Sequence, residues 1–284
     1  MRGLGSLSLD EKTVVLSKFD GFAPIDRKKQ DGDILACVLD VETTGVGDRD
    51  KVIQLCVRPF YFDPSTYQVT GIVKSMNFFQ DPGESLREEI VQLTGITDGM
   101  VKGQTIDWKW VVGMLDRCKF IITHSAKFDR GMIDRELLRS GLSSTEKAIW
   151  CCSLRQIDWK NFCKPSHALE VLCAWSGFYY DAHKADVDVD ALLHLLRREN
   201  RLQELFANAV KPEIRVYASG FPRQLNDELK RRWYSWNGDL KVWFKTFDDQ
   251  AQADQECEWL RNTSSECDPA KLEIEPCSRF SVEQ

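Results

Sequence analysis

The sequence predicts an α/β fold, a mixed sheet flanked by helices, followed by a small second module of helix and strand. Three observations carry that reading. Apolar runs of strand length recur, Ile34-Leu35-Ala36-Cys37-Val38-Leu39 and Lys119-Phe120-Ile121-Ile122-Thr123 among them, and such runs mark strands buried on both faces. Helix-period patterns lie between and after them, with Met132, Ile133, Leu137 and Leu138 on one segment and Leu192, Leu193, Leu195 and Leu196 on another. The first three strand segments are joined by short turns such as Asp63-Pro64-Ser65, so they run antiparallel.

In order, the patterns predict strands near 34–40, 51–60 and 69–79, then helices near 85–93 and 106–116. A strand near 119–123, a helix near 128–140, a short strand near 148–153 and helices near 167–176 and 187–207 complete the first domain. At 284 residues and 43% hydrophobic content, the chain can bury a core of about 175 residues and still form a small second domain.

The first strand ends on Asp40-Val41-Glu42, and Thr43-Thr44-Gly45 follows at once. Successive strand side chains alternate in direction, so Asp40 and Glu42 project from one face, roughly 7 Å apart. Two carboxylates that close repel one another and lose hydration, an arrangement that a divalent cation makes tolerable. The other reading is a solvated strand end, and the buried run before it shifts the balance toward a site. His124-Ser125-Ala126-Lys127-Phe128-Asp129 leads from the strand near 119–123 into a helix, so Asp129 sits near a helix start, where Ser125 or Asp129 could equally serve as a cap. His183 and Asp188 are five residues apart, about 140° on a continuous helix. His183 therefore belongs in the loop before the helix and Asp188 on its inward face, although acidic residues there also suit an ordinary helix dipole.

Together these segments resemble the DnaQ-like 3′-to-5′ exonucleases of the DEDDh subgroup. The first motif of that family matches Asp40-Val41-Glu42-Thr43-Thr44-Gly45, the second His124 to Asp129, and the third His183 and Asp188. Lys51-Val52-Ile53-Gln54-Leu55 looks like its second strand and Leu93-Thr94-Gly95-Ile96-Thr97-Asp98-Gly99-Met100-Val101 like its Gly-Ile-Thr loop. One position departs: Ser125 stands where the family has asparagine, replacing a planar amide by one rotatable hydroxyl. The resemblance implies a ribonuclease H-like mixed five-stranded sheet and a two-metal phosphodiesterase using Mg²⁺ or Mn²⁺, both suited to oxygen ligands. In that pattern Asp40 bridges two ions, Glu42 and Asp188 complete the first, Asp129 holds the second, and His183 is the general base or orients the attacking water. Thr43, Thr44, Gly45, Ile96, His124 and Phe128 are the expected nucleic-acid contacts. His194 reads as a partly buried helix residue, His167 as a cap near Pro165-Ser166. The Asp-Val-Glu-Thr-Thr-Gly motif looks more like that of the DNA-directed members than of the oligoribonucleases, so single-stranded DNA is the favoured partner over RNA, with a polymerase or another replication or repair protein as a further one. A purely binding protein should have lost one of the carboxylates.

With a net charge of −6, the chain cannot depend on global attraction to a polyanion, so local basic patches and the metals must bind the substrate. Ten scattered cysteines without a paired ligand spacing predict free thiols and a reducing, cytoplasmic setting, and Cys257, Cys267 and Cys277 match no common zinc pattern. Met1 to Lys12 lacks an apolar core of signal-peptide length, and no membrane partner is expected.

Four regions follow: an extension over 1–32, an exonuclease domain over 33–207, a basic aromatic α-β-β-α module over 211–262 and an acidic mobile tail over 263–284. Residues 211–247 carry eight Lys or Arg against four Asp or Glu, and 248–284 carry three against ten. A helix over Leu225–Arg232, strands at Trp233–Trp236 and Lys241–Lys245 turned by Asn237-Gly238, and a last helix over Asp248–Arg261 are predicted. The module resembles one found after the exonuclease domain in exodeoxyribonuclease X-like proteins, with Trp233 in place of a glycine. Most of its aromatics are needed for its own core, while Trp236 and Trp243 are candidates for stacking on nucleic-acid bases.

Overall fold

The computed structural model describes residues 15–22, 29–145, 147–238 and 240–281. The signal-peptide reading of Met1 to Lys12 falls outside them. The chain forms two units, residues 1–209 with 280–284 and residues 210–279.

In the first unit the strands are β1 (Ser17–Lys18), β2 (Ile34–Thr43), β3 (Val52–Phe62), β4 (Val69–Ile72), β5 (Met76–Phe79), β6 (Phe120–Thr123), β7 (Ile149–Cys152) and β8 (Phe178–Tyr179). The helices are α1 (Glu88–Thr94), α2 (Asp98–Val101), α3 (Trp108–Leu115), α4 (Ala126–Arg139), α5 (Ser153–Gln156), α6 (Leu169–Trp175), α7 (Ala185–Arg198) and α8 (Leu202–Ala209). The main sheet has the order β4-β3-β2-β6-β7, with β5 also paired to β3. β2 and β3 are antiparallel, whereas β2, β6 and β7 are parallel, so the sheet is mixed as expected. The predicted strand over 69–79 is two strands, both held by β3.

Alternation along β2 divides the core. Ala36 and Val38 face a cluster with Val189, Leu192 and Leu196 of α7, while Cys37, Leu39 and Val41 face Val111, Met132, Ile133 and Leu137 of α3 and α4. The single helix expected over 187–207 is broken into α7 and α8. Asn200 adopts a left-handed φ of 53°, and the Arg201 N–H donates to the Leu196 carbonyl at 2.8 Å, a C-terminal closure that asparagine tolerates well. Part of the predicted extension is integral to this unit: β1 pairs with β8, and Phe19 stacks on half-buried His194 at 4.3 Å.

The second unit contains β9 (Glu213–Tyr217), a 3-10 turn (Arg223–Leu225), α9 (Asn226–Arg231), β10 (Ser235–Asn237), β11 (Val242–Phe247), α10 (Gln250–Thr263) and β12 (Ala270–Ile274), its sheet ordered β10-β11-β9-β12. Val216, Leu229, Phe247, Cys257 and Leu260 form its core. Two strands there escaped the sequence reading, and one of them, β12, lies in the stretch expected to be a mobile tail. Lys271 and Glu273 interrupt the apolar pattern of β12, which is why no strand was legible, yet its backbone pairs with β9 from Ala270↔Tyr217 to Ile274↔Glu213. The hairpin pairs Asn237 with Val242, so its loop is longer than the predicted two-residue turn. Trp233 closes α9 with φ of 66°, a backbone state that favours glycine, and the residue is 84% exposed.

Candidate active site

β2 brings Asp40 and Glu42 to the face of the sheet covered by α7, two and four residues beyond Val38. The apolar stripe of α7 fixes that helix against β2 and β3 and thereby aims Asp188 at the strand end. Carboxylate oxygens of Asp40, Glu42 and Asp188 come within 4.8 Å of one another. The ladder with β3 slips between Glu42 and Thr43, where Glu42 faces Gln54 but Thr43 faces Val52, a bulge beside the site. Asp129 lies in the first turn of α4, which follows β6, the parallel neighbour of β2, and its side chain is buried.

The electrostatics show what this arrangement costs. Loss of hydration, then the charges of Asp129, Asp188 and Glu42, push the Asp40 carboxyl well above the usual range. Glu42 is pushed up to about 7 by the same loss of hydration and by Asp188 and Asp129. Asp129 is raised to about 7 by burial, although its own, Val41 and Ser125 backbone N–H groups oppose the rise. Asp188 is raised by burial against hydrogen bonds from Tyr180 and the Lys184 backbone and against the nearby His183. An all-oxygen set of mutually repelling carboxylates, three of them only partly buried, fits a hard divalent cation and has no evident structural purpose without one.

His183 lies in the loop before α7, exposed and with a left-handed φ of 65°, as its spacing from Asp188 required. Thr43 and Thr44 shape the loop after β2: the Thr43 hydroxyl donates to the Gly45 carbonyl at 2.6 Å and the Thr44 hydroxyl to Asp50 Oδ1 at 2.9 Å. At Gly45 a Cβ would stand 2.6 Å from Asp50 Oδ2 and 2.7 Å from Arg87 Nη2. Both of those groups are held in place, Asp50 by Thr44 and the Gly47 N–H, Arg87 by the Thr44 carbonyl.

Other sequence-predicted contacts are used inside the protein. His124 Nε2 lies 2.9 Å from the His167 carbonyl, so it carries the proton, and Nδ1 accepts from the Ser153 hydroxyl at 2.8 Å. Burial lowers its pKa, and the neutral ring ties the end of β6 to α5 and the loop before α6. It is not a free nucleic-acid ligand. Ile96 is buried with Ile53, Ile90 and Val101, so it anchors the Gly-Ile-Thr loop from beneath. Phe128 is half-buried against the α3–α4 cluster. His167 is not a cap: α6 starts after Ala168 without a side-chain cap, the Ser166 hydroxyl accepts from the Ala168 N–H in the turn before it, and His167 lends its carbonyl to His124. In the second unit Trp243 packs on the core while Trp236, edge-on to it at 5.5 Å, is half exposed. Among the basic residues counted there, Lys230 pairs with Asp227, Arg231 with Glu228 and Arg232 with Glu256.

Sequence reasoning missed Asp190. Its carboxylate receives Nε and Nη2 of Arg58 on β3 at 2.5 and 2.7 Å and the Phe22 N–H at 3.0 Å, tying α7 to the sheet two residues from Asp188. The available signal was a lone arginine inside the apolar run Leu55 to Phe60. Tyr180, which hydrogen-bonds Asp188, was missed as well.

Residues 37–196 match the exonuclease family model RNase_T. The chain belongs to this exonuclease family. Of the residues expected from the sequence, the structure brings Asp40, Glu42 and Asp188 together, with Asp129 in the first turn of α4 and His183 in the loop before α7. Among curated relatives, the PolC-type DNA polymerase III of Listeria monocytogenes is 31% identical over 176 residues, covering 57% of this chain but 11% of the relative. That of Halalkalibacterium halodurans is 29% identical over 169 residues, with the same coverage. The chain thus spans about a tenth of the length of these relatives. The zinc-bound form of the E. coli ExoI–single-stranded DNA complex shares the fold, with a TM-score of 0.51 at 17% identity over 80% of this chain and 67% of that one. No helix among the described residues is long and apolar enough to cross a membrane.

Proposed function

We propose that this exonuclease hydrolyses phosphodiester bonds from the 3′ end, releasing nucleoside monophosphates from single-stranded DNA or 3′ overhangs with two Mg²⁺ or Mn²⁺ ions. The observation that carries the reading is the meeting of Asp40, Glu42 and Asp188 within 4.8 Å, with buried Asp129 beside them. Asp40, Glu42 and Asp188 would hold one cation, and Asp40 with Asp129 the other. Bound there, the cations would stabilise the attacking oxygen and the leaving 3′-oxygen as charge develops.

The chain's own residues do the rest. His183, exposed in the loop before α7, takes the proton from the attacking water. The Thr44–Gly45 turn, locked by Asp50 and Arg87, forms a fixed border beside the carboxylates against which the terminal nucleotide would lie. Exposed Trp236 in the second unit supplies a face on which a base of single-stranded nucleic acid can stack.

End-labelled single-stranded DNA, duplex DNA and RNA, incubated with the protein in Mg²⁺ and in excess EDTA, test this directly. The expected result is stepwise mononucleotide release from the 3′ end, fastest on single-stranded DNA, absent in EDTA and absent for Asp40→Ala. Full activity in EDTA or in Asp40→Ala overturns it. The match to PolC-type polymerases favours a second reading, proofreading in company with a polymerase, and stable copurification with a polymerase subunit would establish it.

A further inference from the structure

We propose that Tyr180 is a positioning residue: its buried phenol holds Asp188 in the orientation in which that carboxylate ligates the cation. The inference rests on the metal-dependent reading above and deepens it. Tyr180 Oη donates to Asp188 Oδ1 at 2.8 Å, and the Lys184 backbone N–H donates to Oδ2 at 2.8 Å. Each carboxylate oxygen has two acceptor sites, so one hydrogen bond on each leaves one site per oxygen for a further ligand, beside the oxygens of Asp40 and Glu42. An untethered aspartate would rotate about its terminal torsion, which is broad and nearly free. Two tethers remove that rotation and fix the plane.

The phenol is delivered by packing. Tyr180 directly follows β8, is 7% exposed, and its ring belongs to the cluster that also holds Leu192, Leu196 and Leu172. The Lys184 tether is a backbone group at the helix start and stays whatever happens at position 180. Loss of the hydroxyl alone therefore frees Oδ1 without unseating α7. Groups that orient a metal ligand from behind contribute about 10–100-fold to metal affinity or activity.

Tyr180→Phe tests this, with Tyr179→Phe as the control, since Tyr179 is half exposed and the hydrogen bonds to Asp188 come from Tyr180 and Lys184. Mn²⁺ binding is followed by electron paramagnetic resonance of the free ion, alongside thermal denaturation in EDTA and the Mg²⁺ dependence of cleavage. The expected result is a 10–100-fold weaker Mn²⁺ affinity in Tyr180→Phe, a matching rise in the Mg²⁺ concentration for half-maximal rate, kcat at saturating metal within about threefold of wild type, and an unchanged melting temperature. Tyr179→Phe should match wild type. Equal Mn²⁺ affinity in Tyr180→Phe and wild type overturns the proposal while leaving the metal-dependent reading standing. A wild-type protein that binds no Mn²⁺ overturns that reading instead. If Tyr180→Phe does not fold, 3-fluorotyrosine-labelled wild type replaces it: of its six fluorine resonances, one must shift on Mg²⁺ addition and broaden selectively with Mn²⁺, and six unmoved resonances overturn the proposal.

Discussion

Replacing Glu42 by glutamine should make the metal-free protein more stable, and only above weakly acidic pH. In the folded chain Glu42 releases its proton at about 7, against an ordinary value of 4.5. Between those values the native state keeps a proton that the unfolded state has lost, so stability falls as pH rises through the window, and the whole penalty is present above it. A displacement of that size corresponds to about 3 kcal/mol. Glu42 retains some contact with solvent, which trims the figure to about 2 kcal/mol. For a domain of this size that is a rise in melting temperature of about 4–8 °C at pH 8. The assay is thermal denaturation in EDTA from pH 4 to 8.5, wild type against Glu42→Gln, with and without Mg²⁺. The two curves should converge near pH 4.5, separate on the alkaline side, and close again when Mg²⁺ stabilises the wild type more than the variant. A variant that melts at or below wild type at pH 8 in EDTA, or whose advantage persists undiminished at pH 4, would refute the argument.

Three further outcomes follow from the same geometry. His183→Ala should lower kcat by roughly 10²–10⁴ with Mn²⁺ affinity preserved; a rate within threefold of wild type removes the histidine from the mechanism, and a collapse of metal binding makes it a ligand. Trp236→Ala should raise KM for long single strands by the loss of one stacking contact, about 1–3 kcal/mol, and leave kcat on dinucleotides unchanged; unchanged KM at every salt concentration assigns the second unit some other partner. A point variant is the cleaner probe here, because truncation after Asn208 also removes Phe280, which packs on the core of the first unit. Trp233→Gly should stabilise the second unit by about 0.5–1 kcal/mol, because it relieves a left-handed backbone without costing core contacts, and a loss of stability in calorimetry would show that the exposed indole has an internal partner.

The site was legible in the sequence to the extent that its spacing follows from regular elements. Asp40 and Glu42 share a face because β2 is extended, and His183 and Asp188 could not share a helix face at a spacing of five, which placed the histidine in the loop. Contacts set by tertiary packing left a weaker trace. Asp190 looked like one more acidic residue at a helix start, and only the fold reveals that Arg58, 132 positions away, is its partner. His124 carries a family signature, yet nothing in that signature says that both ring nitrogens are consumed by Ser153 and His167. The break at Asn200 was hidden because Leu195, Leu196, Leu202 and Leu205 continue an apolar period across it, whereas the decisive event is one residue's φ. β9 and β12 were missed because charged residues, Glu213 and Arg215 in one and Lys271 and Glu273 in the other, interrupt the apolar pattern, leaving short strands whose identity lies in backbone pairing.

That pairing decides how the protein can be handled. β12 forms one border of the second unit's sheet, and Arg279 just beyond it is ion-paired with Glu213 at 3.0 Å, where β9 begins. A chain cut back to Thr263, the trimming that an acidic and aperiodic terminus invites, would lay bare a row of unpaired amides and carbonyls along β9. Such an open border is a template for another chain's strand, leading to swapped dimers or aggregates. Residues 270–279 are thus a seal on the sheet, and any fusion partner placed at this terminus belongs after a flexible spacer.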